Sequence, residues 1–264
     1  MSKKYIKLSG LCDGETADLM PFDGEGMILL GYRGSIAHNM YVPQDDPNCI
    51  DDKDIMGVYA APTEHYIGLQ RTKSWEKMKN EWDVVCYEVK KYINLCLKMN
   101  PNVLSLLWVP DKHIIFSTYL GDMLRENRQL FSSKQAYYSF GGYAHSQLHK
   151  MTHYAHKGYM GKKRKELVDE FGYDTKNAAH LIRLLRMGIE FLNTGELVIE
   201  RPDAKQLLEI KAGEWSLERV QKEADRLFPI LDEEFRASKL PRAPDREGAE
   251  KLLMEIVCRA HGWR

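Results

Sequence analysis

Strand-like runs in this sequence are confined to its first 110 residues, and beyond them the hydrophobic pattern turns helical. That order constrains the fold more than any other feature. Strands early and helices late predict an α+β head with an α-helical second half. The apolar run Met27-Ile28-Leu29-Leu30 ends in Gly31 and Gly34, as a buried strand would. After a turn-rich segment over 43–48, a second strand is predicted over 52–59 and closed by Pro62. A third over 82–87 runs into a helix from about 88 to 99, which stops at Asn100-Pro101. Helical periodicity then covers 137–156, 175–193, 216–235 and 246–261. The expected organisation is a head over 1–110, a small mixed sheet with flanking helices, and an α-helical half over 111–264.

Charge narrows the function. The 264 residues carry 38 Lys and Arg against 38 Asp and Glu, which argues against a general polyanion binder and leaves room for a local basic groove. The five cysteines are scattered with no CxxC pair, which argues against a zinc ribbon and for a reducing compartment. No apolar run reaches the roughly 18 residues of a membrane span. Basic residues at the N-terminus are not followed by an apolar stretch of the signal-peptide kind, so a cytoplasmic protein is expected.

Gly34-Ser35 and the pair Asp52, Asp54 form the strongest chemical constellation. A Gly-Ser pair after a strand lets backbone approach phosphate oxygens, with the Ser hydroxyl and following amides as donors. Aspartates at i and i+2 on a strand share one face and suit Mg²⁺ bridging protein and phosphates. The same acids would equally coat a solvated turn.

These residues resemble the DNA polymerase β superfamily of nucleotidyltransferases, whose pattern is a Gly-Ser followed by a D-x-D. One branch is especially similar, the RNA-ligase-associated predicted nucleotidyltransferases. Its marks are Asp83 with Tyr87-Glu88-Val89-Lys90-Lys91, Asn100-Pro101-Asn102, Phe140-Gly141-Gly142-Tyr143, then Lys176, His180 and Arg183 in one helix. Asn193-Thr194-Gly195-Glu196-Leu197, Gly213-Glu214 and Ser238-Lys239-Leu240-Pro241 complete the set, in order over most of the chain. Two departures stand out: Lys53 replaces the usual apolar residue between the aspartates, and the loop from Ser35 to Asp52 is long.

The resemblance implies an enzyme that holds an NTP at Gly34 and Ser35 and moves its NMP to an acceptor hydroxyl, releasing pyrophosphate. It implies Mg²⁺ or Mn²⁺ on Asp52, Asp54 and a third carboxylate acting as base, a role for Asp83 or its rival Glu88. The favoured acceptor is an RNA 3′ end; a small molecule, a protein hydroxyl, or a catalytically silent nucleotide-binding module are the alternatives.

Lys176, His180 and Arg183, at i, i+4 and i+7, form a polar stripe apart from the apolar face of Ala178, Leu181, Ile182, Leu185, Ile189 and Leu192. Such a stripe is either a solvated face or, as the resemblance implies, a phosphate- and nucleotide-binding wall opposite the aspartates. The helix is expected to start at an Asp174 cap and stop at Gly195. His145, His149, His153 and His156 share a helix face and read as a metal-binding row, a groove lining or plain surface. The run Lys162-Lys163-Arg164-Lys165 reads as a basic linker, either solvated or touching a phosphate backbone.

Overall fold

The computed structural model describes residues 26–43, 51–69, 74–79, 82–153 and 162–263. Strands β1 (Met27–Tyr32), β2 (Lys53–Tyr59), β3 (Trp75–Lys79), β4 (Trp82–Glu88) and β5 (Ile114–Ser117) form one sheet in the order β3-β4-β2-β1-β5. β2 and β4 run parallel, and the other neighbours are antiparallel. The protein is therefore α+β with a mixed sheet, as the strand-then-helix order predicts. The central strands read as apolar runs because both sheet faces are covered. Met27, Leu30, Ile55, Val84 and Cys86 pack on one side, and Ile28, Leu29, Met56, Val58 and Val85 join the main core on the other.

The two edge strands, β3 and β5, escape a reading of hydrophobic pattern. Edge strands are short and carry charge, which protects an unpaired edge but erases the apolar signature. β3 reads Trp-Glu-Lys-Met-Lys, and β5 has four residues only. β5 also lies beyond residue 110, so the sheet draws a strand from the part of the chain that was expected to be wholly helical.

The first five α-helices are α1 (Gly34–Ala37), α2 (Thr63–Ile67), α3 (Val89–Leu97), α4 (Pro101–Leu104) and α5 (Tyr119–Glu126). The rest is α6 (Ala136–His153), α7 (Lys162–Phe171), α8 (Thr175–Thr194), α9 (Ala204–Lys211), α10 (Leu217–Ala237) and α11 (Arg246–His261). The basic run expected in a linker instead opens α7; Lys and Arg are good helix formers, so charge alone does not break a helix.

α8 is the axis of the helical half, packed against α6, α9 and α10. The Asp174 side chain accepts from the Asn177 N–H at its start, and Gly195 ends it in the left-handed region (φ 76°). Ala178, Leu181, Ile182, Leu185 and Leu192 are buried. At Gly188 an added β-carbon would lie 3.0 Å from Phe140 and 3.1 Å from Leu231, so glycine sets how closely α6 and α10 approach. α11 returns to pack on α3 and α5, and one hydrophobic core runs from Ile28 to Val257.

Candidate active site

Parallel pairing of β2 with β4 places Asp54 beside Asp83, and Asp52 immediately precedes β2. All three line one cavity of about 280 Å³ between the sheet and α8. Lys53 lies on the opposite face of the strand, its ammonium 5.0 Å from the ring centre of Trp82, its neighbour in register. That alternation lets a lysine stand between two aspartates without entering the cavity they line.

A cation does sit among the carboxylates. Arg33 Nη2 donates to Asp83 Oδ2 at 2.7 Å and lies 3.4 Å from Asp54 Oδ1. Its backbone N–H also donates to the Asp54 carbonyl. Burial pushes the Asp54 carboxyl up to about 6, with Asp83 and Asp52 adding to the shift while Arg33 and Lys176 oppose it.

The turn after β1 carries Gly34 at φ 61°. A β-carbon there would sit 1.9 Å from Asp54 Oδ2, so the residue must be glycine to admit the carboxylate. Next to it Ser35 lines the cavity, and its hydroxyl is buried without a hydrogen-bond partner, an orphaned donor.

α8 supplies the opposite wall. Lys176, His180 and Arg183 line the same cavity as the aspartates, so the stripe does not face bulk solvent. Lys176 and Lys211 both pair with the buried Asp51, Lys176 at 3.8 Å. Arg183 is buried and donates through Nη1 to His38 Nε2 at 2.6 Å. Burial lowers its pKa to about 10, still well above neutrality. Arg33, His38, Asp51 and Lys211 escape a sequence reading, because their roles arise only from partners distant in the chain.

Two rival assignments find other places. Glu88 caps α3, accepting from the Lys90 and Lys91 N–H groups and from the Tyr66 hydroxyl, and is absent from the cavity wall. His145 is stacked on Phe228 of α10 with ring centres 4.2 Å apart, and neither it nor His149 lines the cavity. His156 lies outside the described residues, as do the side chains of His153 and of Lys162, Lys163 and Arg164.

The hard carboxylate oxygens of Asp52, Asp54 and Asp83, which line one cavity, match the chemistry of a divalent cation. Among the described residues no three His, Cys, Asp or Glu side chains stand together as a ready metal cluster, and Arg33 lies between Asp54 and Asp83. The donor types therefore fit the ion, while a three-carboxylate grouping is not preassembled.

A small mixed sheet that carries paired strand aspartates beside a Gly-Ser turn, backed by helices, defines a polymerase β-type nucleotidyltransferase fold. The chain belongs to the RNA repair pathway DNA polymerase beta family (RlaP), whose model matches residues 44–255. Asp52, Asp54, Asp83, Lys176, His180 and Arg183 fall inside the matched segment, and Gly34 and Ser35 precede it. No curated protein matches the chain. Among the described residues no helix is long and apolar enough to cross a membrane.

Proposed function

We propose that the cavity binds a nucleoside triphosphate and transfers its NMP to the 3′ hydroxyl of an RNA, releasing pyrophosphate. The observation that carries this reading is the pairing of walls: an unpartnered Ser35 hydroxyl and a cationic α8 face three carboxylates across one cavity. Ser35, Lys176 and Arg183 bind the phosphates, and His180 hydrogen-bonds the nucleotide. Asp52 and Asp54, joined by Asp83, hold Mg²⁺ or Mn²⁺, which supplies Lewis-acid stabilisation of phosphate charge when bound. Asp83 accepts the acceptor's proton once Arg33 releases it. The hydroxyl oxygen then bonds to the α-phosphorus as the bond to pyrophosphate breaks. In this scheme residues 1–110 form the catalytic part and 111–264 close the cleft.

RNA repair as the family's setting favours RNA over other acceptors. The test incubates each radiolabelled NTP with Mg²⁺ or Mn²⁺ and with separated RNA, protein and metabolite fractions. Label in RNA, lost in Asp52→Asn, is the expected result. Label in protein or metabolites reassigns the acceptor, and nucleotide binding without any transfer makes the chain a silent binding module.

A further inference from the structure

His38 stands at the end of the one-turn helix that carries Gly34 and Ser35, and its backbone N–H donates to the Gly34 carbonyl at 3.1 Å. Its side chain crosses to the helical half. Nδ1 lies 2.8 Å from the Ile199 carbonyl, and Nε2 lies 2.6 Å from Arg183 Nη1. A carbonyl only accepts, so Nδ1 carries the ring proton; a guanidinium only donates, so Nε2 carries none. Both partners select the same neutral tautomer, and both exclude the imidazolium.

We infer that His38 is a positioning residue, which orients the Arg183 guanidinium toward the triphosphate through a neutral hydrogen bond that leaves its charge available. Among the described residues, no carboxylate lies within ion-pair distance of Arg183. The Met187 sulfur lies 3.5 Å from the same Nη1. A buried guanidinium needs acceptors, and a carboxylate would satisfy it best but would also cancel the charge that a phosphate requires. A neutral imidazole satisfies one donor edge and leaves the charge for the ligand. Burial, then Arg183, Arg201 and His113, hold the imidazole well below its usual range, against the Ile199 carbonyl, so the ring stays neutral. The assignment rests on the triphosphate reading of the cavity, to which it adds a residue that links Gly34-Ser35 to α8.

The test measures equilibrium binding of ATP and of inorganic tripolyphosphate to the full chain, with KM and kcat for the nucleotide. His38→Gln keeps a neutral acceptor, His38→Glu substitutes a charged one of the same size, and His38→Leu offers none. His38→Leu and His38→Glu should each weaken tripolyphosphate binding by about tenfold or more, and His38→Gln by no more than about threefold. KM should rise further than kcat falls. Arg183→Ala is the reference: if it binds tripolyphosphate like the parent, the phosphate role of Arg183 fails first. If Arg183→Ala loses binding while His38→Glu matches His38→Gln, the His38 inference is overturned. The Gln/Glu comparison also serves if His38→Leu does not fold, with the melting temperatures of both variants measured alongside: Glu, unlike Gln, has no donor for the Ile199 carbonyl, so a purely structural role would lower the Glu variant's melting temperature without a selective loss of tripolyphosphate binding by the folded protein.

Discussion

At the residue scale the cavity is organised by Asp54. Its raised pKa has a definite consequence for stability. The folded carboxyl, at about 6, keeps its proton above the ordinary 3.8, so the folded state binds more protons across that window and stability falls as pH rises through it. The whole shift corresponds to on the order of 3 kcal/mol. Asp54→Asn should lose this decline, which chemical denaturation at pH 4.5 and 7 would reveal as a flatter pH dependence than the parent's. An equally steep profile in the variant would assign the slope to another group. Replacing Asp52 or Asp54 by Asn should also lower NMP transfer by about two to three orders of magnitude, because charge stabilisation dominates phosphoryl transfer. Spacing at i and i+2 let these aspartates share one face but also suited a solvated turn; the resemblance to the Gly-Ser and D-x-D pattern singled them out. Arg33 was not, since a lone arginine after a strand acquires meaning only when β2 and β4 bring Asp54 and Asp83 beneath it. Gly34 was legible as a glycine with a purpose, though the atom it makes room for is a carboxylate oxygen of Asp54.

At the scale of elements, α8 carries two arginines with opposite duties. Arg183 faces the cavity, whereas Arg186 bridges Asp203 at 2.7 Å and Glu223 at 2.8 Å, tying α8 to the segment before α9 and to α10. Arg186→Ala leaves both acids short of a partner, although Arg201 still serves Asp203 and Arg226 still serves Glu223. The expected cost is about 1–3 kcal/mol of stability, read by denaturant unfolding, with tripolyphosphate affinity retained. Lys176→Ala with Arg183→Ala should do the reverse, weakening tripolyphosphate binding while changing the melting temperature little. Equal effects of both sets on both readouts would show that α8 does not divide its faces this way. α8 could be read from sequence because its caps, apolar face and polar stripe are all local. β3 and β5 could not, because an edge strand is defined by its neighbour and not by its own pattern.

The whole molecule joins these parts through one core and one cavity. Ile28 on β1 and Val257 on α11 belong to the same hydrophobic cluster, and β5 completes a sheet whose other four strands come from before residue 110. His38 and Asp51 tie the early chain to Arg183, Lys176 and Lys211, so the cavity wall is shared between distant segments. Local opening of either half would expose part of the common core, which couples the two thermodynamically. The chain should therefore melt in a single transition by calorimetry, with calorimetric and van't Hoff enthalpies in agreement. A ligand that bridges both walls must then move the entire transition. ATP at about a hundred times its dissociation constant adds about 2.7 kcal/mol to the folded state, or about 5–10 °C in a domain of this size. The shift should shrink sharply in the Lys176→Ala, Arg183→Ala double variant, which removes one wall of the cavity while leaving the core that makes unfolding cooperative. Two separate transitions, only one of them moved by ATP, would mean that the cavity is built by a single half and that the shared core does not couple them.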